Sequence, residues 1–579
     1  MGDSAHGKGD IRAALAAGAA SVGAWAEVLD RINVFPVPDG DTGRNLVVSL
    51  SALRDQASSA EVLTERLLLS ARGNSGNIAC AFVKSLLDGA PDESLASRCV
   101  RGAARARQAV AIPQPGTMLT VLDALCKGDA STVSREDADD VLVRLAQVVR
   151  ETTSAQESLR RSNVVDSGAL GMLVFLDGLL RTYFDLGPGR EDIASSFQSL
   201  VRFQRIHGEA ETGFCVDAVV RLPRGSAPKD EALARIGREV IALREGDLWK
   251  VHLHADDVEA ARQALGGLGE VVRWSWDDLQ EQMAQSPAVA KAGQVHIVTD
   301  GAASLSRRDA EALGITLLDS HIDFGDRSLP ETRIDPQDLY TTMRRGVRVS
   351  TAQASTLERE RHYERLTSQW RSVLYLSVGS VYTANHAVAT AWKNSHPAGA
   401  RLTVIDSGAA SGRLAVVARA TALAAQDGMS AAALQAFATA ALARAEEYIL
   451  LERLEYLARG GRLSKAGAWF GDALHLAPVV SPMPDGARKV ALLRKQEDKV
   501  AYACERARQA LSASAGKGYL LLQFTDNRAW VEGEVAPRLR HELPSAEIGL
   551  GPLSLTTGAH TGPGTWAVAT LPAADAHGT

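Results

Sequence analysis

From Asp10 to about Asp185, apolar positions recur three and four residues apart in alanine- and leucine-rich stretches such as Glu61–Leu69, Val141–Val149 and Leu170–Leu180. That period predicts amphipathic helices separated by glycine-bearing loops. No stretch in this region alternates as a strand does, so residues 1–190 are expected to form an all-α domain. The segment Leu186-Gly187-Pro188-Gly189-Arg190 reads as a linker. Between 200 and 284 the pattern changes. Val216–Leu222, Trp249–Ala255 and Glu270–Trp276 read as strands, and Asp230–Ala242 and Asp257–Gly266 as helices. This order predicts a small α+β module, of ferredoxin-like kind. A second linker, 285–293, leads to strands Val295–Thr299, Val373–Leu376 and Leu402–Ile405, each followed by a helical segment. Such alternation predicts an α/β domain with a mostly parallel sheet over residues 293–572.

Composition narrows the class. The 579 residues fit about three or four domains. A balance of 63 basic against 69 acidic residues leaves no broad cationic surface, so general nucleic-acid binding is not expected. Five cysteines without a CxxC pair suggest a reducing compartment. No signal-peptide core and no long uncharged apolar run is read, so a cytoplasmic protein without a membrane span is expected.

The chemistry concentrates in loops. Asn33-Val34-Phe35-Pro36-Val37-Pro38-Asp39-Gly40-Asp41-Thr42-Gly43 follows the first helix and places carboxylates at i and i+2 on a glycine-flexed loop. A turn accounts for these residues, since Pro fixes φ, Gly permits positive φ and Asp bonds its own backbone. The same pair can converge on a hard cation such as Mg²⁺, with the following N–H groups facing phosphate oxygens. Three more glycine-bearing loops, Ala71–Asn77, Pro115–Met118 and Val165–Gly171, lie at predicted helix starts. Helix starts attract anions, although Ser, Asn, Asp and Gly are also ordinary capping residues.

Taken in order, NVFPVPDGDTG, ARGNSG, PGTML and VVDSGALG resemble the DhaL-type kinase domain of fatty acid kinase A proteins, relatives of the ATP-using dihydroxyacetone kinases. The resemblance covers about residues 10–185 and implies an antiparallel helical barrel with Mg-ATP at one end. Carried over by position, it implies that Asp39 and Asp41 hold Mg²⁺, with Asn33 standing where dihydroxyacetone kinases use aspartate. Thr42, Gly43, Asn45, Ser75 and Gly76 would face the phosphates, and Thr117, Met118 and Asp166 would border the nucleoside. Arg44 departs from the threonine usual in the fatty acid kinases.

In the middle module, His252 and His254 share one face of a predicted strand, and Cys215 opens a strand that could pair beside it. One Cys and two His form an ordinary zinc donor set that lacks only a fourth ligand. GFCVDAVV and KVHLHADD also resemble the middle domain of fatty acid kinase A proteins, which implies Zn²⁺ at Cys215, His252 and His254.

Residues 294–571 resemble the DegV family of fatty-acid-binding proteins, through VHIVTDGAASL, RVSTAQAS, VIDSGAASG, LEYLARGGRLSKAGAWFG and AHTGPGTWAVAT. The family buries an acyl chain between helices and sheet, which implies carboxylate contacts from Ser350, Thr351 and His560. Two departures stand out: Val381 replaces a carboxylate-binding serine, and Gly301 replaces the serine of the usual Asp-Ser pair. Loss of a charged hydrogen bond costs about 1.5–3 kcal/mol where neither Ser380 nor Tyr382 substitutes.

The combined expectation is a one-chain fatty acid kinase that uses ATP and Mg²⁺ to form an acyl phosphate. A dihydroxyacetone-like small-polyol (glycerone) kinase is the alternative enzyme, disfavoured because His6 is the only histidine before residue 190. A lipid-binding regulator with a vestigial kinase site is the alternative from another class. Other DegV-family proteins or an acyltransferase are the expected partners besides the fatty acid, and a homodimer is compatible with the sequence.

Overall fold

In a computed structural model, the structure describes residues 9–573 except 91, 128–133, 188–191, 202–211, 224–229, 281–293, 326, 454 and 460–476. The chain divides into two compact units, residues 1–286 and 287–579. Both linkers and most of LEYLARGGRLSKAGAWFG therefore fall wholly or partly outside the described residues, as does the tail.

The first unit begins with helices α1 (Ile11–Arg31), α2 (Thr42–Leu50), α3 (Ala60–Ser70), α4 (Gly73–Leu87) and α5 (Leu95–Gln108). It continues with α6 (Met118–Leu125), α7 (Ala138–Ala155), α8 (Glu157–Ser162) and α9 (Ser167–Phe184). Small residues decide the central packing. Ala14, Ala17, Gly18 and Ser21 of α1 are buried, and a Cβ on Gly18 would stand 2.7 Å from the Phe175 carbonyl oxygen of α9. Similarly, a Cβ on Gly43 would meet the Ala26 carbonyl oxygen at 2.0 Å, so α2 lies against α1 only because residue 43 lacks one. Leucine, valine and phenylalanine side chains from all these helices fill a single core.

The middle module supplies β1 (Phe214–Arg221), the short α10 (Asp230–Leu233), β2 (Arg238–Glu245), β3 (Leu248–Ala255), α11 (Val258–Gly266) and β4 (Glu270–Asp278). The sheet is antiparallel in the order β2-β3-β1-β4, the βαββαβ arrangement of a ferredoxin-like module. One expectation is corrected: Asp230–Ala242 is not a single helix, because residues 238–245 form β2. Its apolar run is buried from both sides, which erases strand alternation. Val240 joins the module's own core, whereas Ile241 and Leu243 enter the helical core. Backbone bonds Ala242 N to Ala109 O (2.9 Å) and Ala111 N to Val240 O (3.3 Å) complete that junction. The helices and the module are one compact unit for this reason.

The second unit holds a parallel sheet ordered β11-β10-β5-β6. Its strands are β5 (His296–Asp300), β6 (Ile315–Leu318), β10 (Val373–Ser377) and β11 (Leu402–Asp406). An antiparallel ribbon, β8-β7-β9, comprises β7 (His321–Phe324), β8 (Arg327–Pro330) and β9 (Val349–Ala352). The expected mostly parallel sheet is only part of the unit. A six-stranded sheet of β12 (Glu446–Leu450), β13 (Ala477–Met483), β14 (Gly486–Leu493), β15 (Gly518–Phe524), β16 (Ala546–Pro552) and β17 (Trp566–Pro572) is antiparallel except between β15 and β16. Helix Ser411–Gln426 lies between the sheets, with helix Ala431–Arg444 packed on it and on β17: their alanine-rich faces share one core with Ile297, Leu376, Leu521 and Ala569. Among the described residues no helix is long and apolar enough to cross a membrane.

The Gly43 contact yields a direct expectation. Gly43→Ala forces α2 away from the α1 backbone and lowers stability by about 1–3 kcal/mol, the cost of overpacking a tight interior. Thermal denaturation of the purified variant checks it, and an unchanged midpoint would show that the helices do not meet at this position.

Candidate functional site

The starts of four helices, α2, α4, α6 and α9, meet around Ser167 and Gly168. Ser167 Oγ lies 3.0 Å from Thr42 Oγ1 and 3.3 Å from Asn33 Oδ1. A Cβ on Gly168 would stand 3.3 Å from Ser75 Oγ and 3.7 Å from Met118 Cβ. Gly76 packs on Ser49 and Asn45, and Gly73 (φ +58°) faces the Asn45 amide. Thr117 is half-buried, its hydroxyl donating to Gln114 O (2.9 Å). The four glycine loops thus share one locus, where the N-terminal ends of four helices gather at a common positive pole.

Asn33 Nδ2 donates to Asp39 Oδ1 (2.5 Å). Burial and the neighbouring Asp41 raise the Asp39 carboxyl well above its usual range. Burial also raises Asp41, while Asn45 and Arg44 pull it the other way. Arg44 does not offset the charge of two carboxyls pressed together in this manner, and a divalent cation between them would; Asp39, Asp41 and Asn33 therefore fit Mg²⁺ as a donor set. Asp166 caps α9, accepting from Ala169 N (2.7 Å), and burial pushes its carboxyl up to about 7.

A second constellation adjoins the first. Strand register sets Cys215 opposite His254 and Asp217 opposite His252, so all four side chains share one sheet face with Lys250. Cys215 Sγ and one ring nitrogen from each histidine lie within 4.8 Å of one another, all three residues buried. His252 Nε2 and His254 Nδ1 are buried without hydrogen-bond partners, while His252 Nδ1 lies 3.4 Å from Asp217 Oδ1. A carboxylate on one ring nitrogen with the other left bare is the arrangement of a metal-binding histidine, so these residues fit Zn²⁺. Burial pushes His254 down to about 3, favouring the neutral ligand form.

In the second unit, Thr351 Oγ1 and His560 Nε2 are 3.1 Å apart. Ser350 is not with them. Adjacent residues on β9 point to opposite sides, and Ser350 is exposed, its hydroxyl 3.5 Å from Asp323 Oδ2. Val381 is 44% exposed. Neither neighbour's hydroxyl stands in its stead: Ser380 is exposed, and Tyr382 packs on the core with its Oη donating to Met483 O (2.8 Å). Asp300, beside Gly301, is buried and accepts from Tyr375 Oη (2.8 Å), Val378 N (2.7 Å) and Asn385 Nδ2 (2.8 Å).

Residues 36–181 match the model of the DAK2 domain, and 211–286 that of the middle domain of fatty acid kinase A-like proteins. Residues 294–573 match that of the DegV family, described as uncharacterised protein. The chain joins these three domains in this order. Protein YloV of Bacillus subtilis is 29% identical over 308 residues, covering 46% of this chain and 54% of that protein. An uncharacterized protein of Staphylococcus saprophyticus is 26% identical over 298 residues, with the same two shares. The chain spans about half the length of the curated relatives it matches. Among solved structures, a fatty-acid-binding DegV family protein from Thermus thermophilus is 21% identical, with a TM-score of 0.44 over 48% of this chain and 99% of its own. DegV of Bacillus subtilis, described as a fatty acid binding protein, is 18% identical, with a TM-score of 0.44 over 49% and 100%.

Sequence reasoning passed over Ser167, Asp217 and Lys250. The last two were visible in principle, because Asp217 lies two residues beyond Cys215 and Lys250 two before His252, which puts them on the same face.

The raised Asp166 carboxyl in the DAK2 domain has a pH signature. Its folded value, about 7, exceeds the ordinary 3.8, so between these limits the folded chain keeps a proton that the unfolded chain has released. Stability contributed at this position therefore falls as pH rises from about 4 to 7 and is level above. Asp166→Asn keeps the cap acceptor and removes the titration. Melting curves across this range should show a shallower decline in the variant; an unaltered slope would count against the assignment.

Proposed function

We propose that the chain is an ATP-dependent fatty acid kinase. Its DAK2 domain transfers the γ-phosphoryl group of ATP to a carboxylate carried by the DegV domain. The observation that carries this reading is the meeting of four helix starts beside the Asp39–Asp41 pair. An anionic triphosphate needs the former and its cation needs the latter.

In this reading Asp39 and Asp41 hold Mg²⁺ with Asn33 as a further oxygen donor, and Asp39 is kept in place by the Asn33 amide. Bound Mg²⁺ neutralises phosphate charge. Thr42, Gly43 and Asn45 at the start of α2, and Ser75 and Gly76 at the start of α4, face the phosphates. Thr117, Met118 and Asp166 border the nucleoside. The acyl carboxylate is already an anionic nucleophile: one of its oxygens bonds to the γ-phosphorus as the bond to the β,γ-bridging oxygen breaks, giving acyl phosphate and ADP. No proton is transferred, so positioning and charge neutralisation suffice, and no general base is required. Thr351 and His560 receive the acyl carboxylate. Ser350, on the opposite side of β9, contributes nothing to that contact, which leaves a two-residue polar end where Val381 brings no hydroxyl.

Acyl phosphate formation from added fatty acid, trapped with hydroxylamine, tests this directly. Asp41→Asn should reduce it by about 100-fold or more while fatty acid binding is retained. Wild-type-like turnover in the variant with Mg²⁺ as sole metal would refute the assignment. Full-length protein that hydrolyses ATP but forms no acyl phosphate would refute the acceptor.

The middle domain in this reading binds about one zinc ion per chain through Cys215, His252 and His254. Elemental analysis of His254→Ala should show a large loss of zinc together with a lowered melting temperature, because metal binding and folding are coupled. Undiminished zinc would exclude the triplet.

A further inference from the structure

We propose that Asp217 is a positioning residue that couples the middle-domain metal site to the nucleotide loop, so that zinc occupancy sets the affinity of the DAK2 domain for nucleotide. The proposal rests on the kinase and zinc assignments above and goes beyond both.

Asp217 is 7% exposed and serves two sites at once. On one side its Oδ2 accepts from Gly73 N (3.2 Å), and its Oδ1 lies 3.5 Å from Asn77 Nδ2, whose amide also donates to Gly73 O (2.7 Å). These bonds fix the first turn of α4, the turn that carries Ser75 and Gly76. On the other side Asp217 Oδ1 faces His252 Nδ1 (3.4 Å), the ring nitrogen that also lies 3.9 Å from Cys215 Sγ, while Nε2 is buried without a hydrogen-bond partner. One carboxylate thus determines both how the histidine is presented and where the glycine loop lies.

Charge supports the same role. A bare carboxylate at the start of α4 would repel an incoming phosphate. Lys250, 3% exposed, cancels it through a 2.9 Å ion pair, so the helix start keeps its affinity for anions. A second contact joins the two sites independently. Val37, on the loop leading to Asp39 and Asp41, forms a small buried cluster with Cys215 and Leu279. Two of the four glycine loops therefore rest on β1, the strand that supplies Cys215 to the metal triplet. Loading that triplet holds β1 and β3 in one register and fixes Asp217. Emptying it frees His252 and the Gly73 loop together.

Coupling of this kind is reciprocal: if zinc tightens nucleotide binding, nucleotide tightens zinc by the same factor. Full-length protein is stripped with a chelator or reloaded with Zn²⁺, and Mg-ADP affinity is measured by calorimetry. Amide hydrogen exchange is followed over residues 71–77. Reloading should tighten Mg-ADP by at least about fivefold and slow exchange across that segment. Asp217→Leu combined with Lys250→Met removes the acceptor and its buried counter-ion together. At saturating Zn²⁺ this variant should bind the metal and melt cooperatively, yet show the same Mg-ADP affinity with and without zinc. A purely structural role would leave the coupling in place. The wild-type measurements decide the matter even where the double variant does not fold. Equal Mg-ADP affinity of stripped and reloaded wild type overturns the proposal, as does a folded double variant with the full zinc effect. Absence of any Mg-ADP binding by the reloaded wild type would remove the kinase reading as well, whereas binding that ignores zinc removes this inference alone.

Discussion

The backbone N–H groups in the first turn of a helix have no partner within that helix, and the DAK2 domain brings four such turns to one place. Everything else about the candidate site answers that constraint. The positive pole it creates is suited to a multiply charged anion, and the Asp39–Asp41 pair beside it is suited to the cation such an anion carries. The packing needed to gather these helix starts is close, and it is met by absent side chains: Gly18 where α9 crosses α1, and Gly43 where α2 does. Shape and chemistry are not separable here, since Gly43 both permits the approach and belongs to one of the four helix starts that meet at the site.

The middle domain shows what a strand can do with its two faces. Val216, Ala218 and Val220 of β1 pack with Leu253 and Leu265 in the module's own core. The intervening residues Cys215 and Asp217 turn with Lys250, His252 and His254 toward the helices. A buried sheet face made of a thiol, two imidazoles, a carboxylate and an ammonium is expensive unless its members satisfy one another. The Lys250–Asp217 pair and the Asp217–His252 contact do so for three of them. The two histidine nitrogens without hydrogen-bond partners are the remainder, and the proposed metal ion would satisfy both.

The DegV domain presents a sparser polar site. Thr351 and His560 come from parts of the chain 209 residues apart and are joined because helix Leu555–Thr561 packs against the ribbon that holds β9. Strand alternation then excludes Ser350 from the same side. The loop with Val381 contributes no inward hydroxyl, since Tyr382 is engaged with Met483 and Ser380 is exposed. In the proposed reading, binding of an acyl group would depend on apolar burial more than on hydrogen bonds at the carboxylate.

The sequence by itself determined the helices of the first domain, three of the middle module's four strands, three strands of the parallel sheet in the second unit and the loops that carry chemistry. Those features follow from local periodicity, and glycine, proline and aspartate mark turns through their own backbone preferences. It misread residues 238–242, where an apolar run buried from two sides has no alternation left to read. It also could not separate Ser350 from Thr351, because adjacent hydroxyls are equivalent until a strand assigns them faces. Only the tertiary structure decided that the helical domain and the middle module form one unit. It also placed Asp217, 144 residues from Gly73, on that glycine's N–H. Contacts of this kind depend on how separate elements pack, and no residue's immediate neighbours in the chain record that.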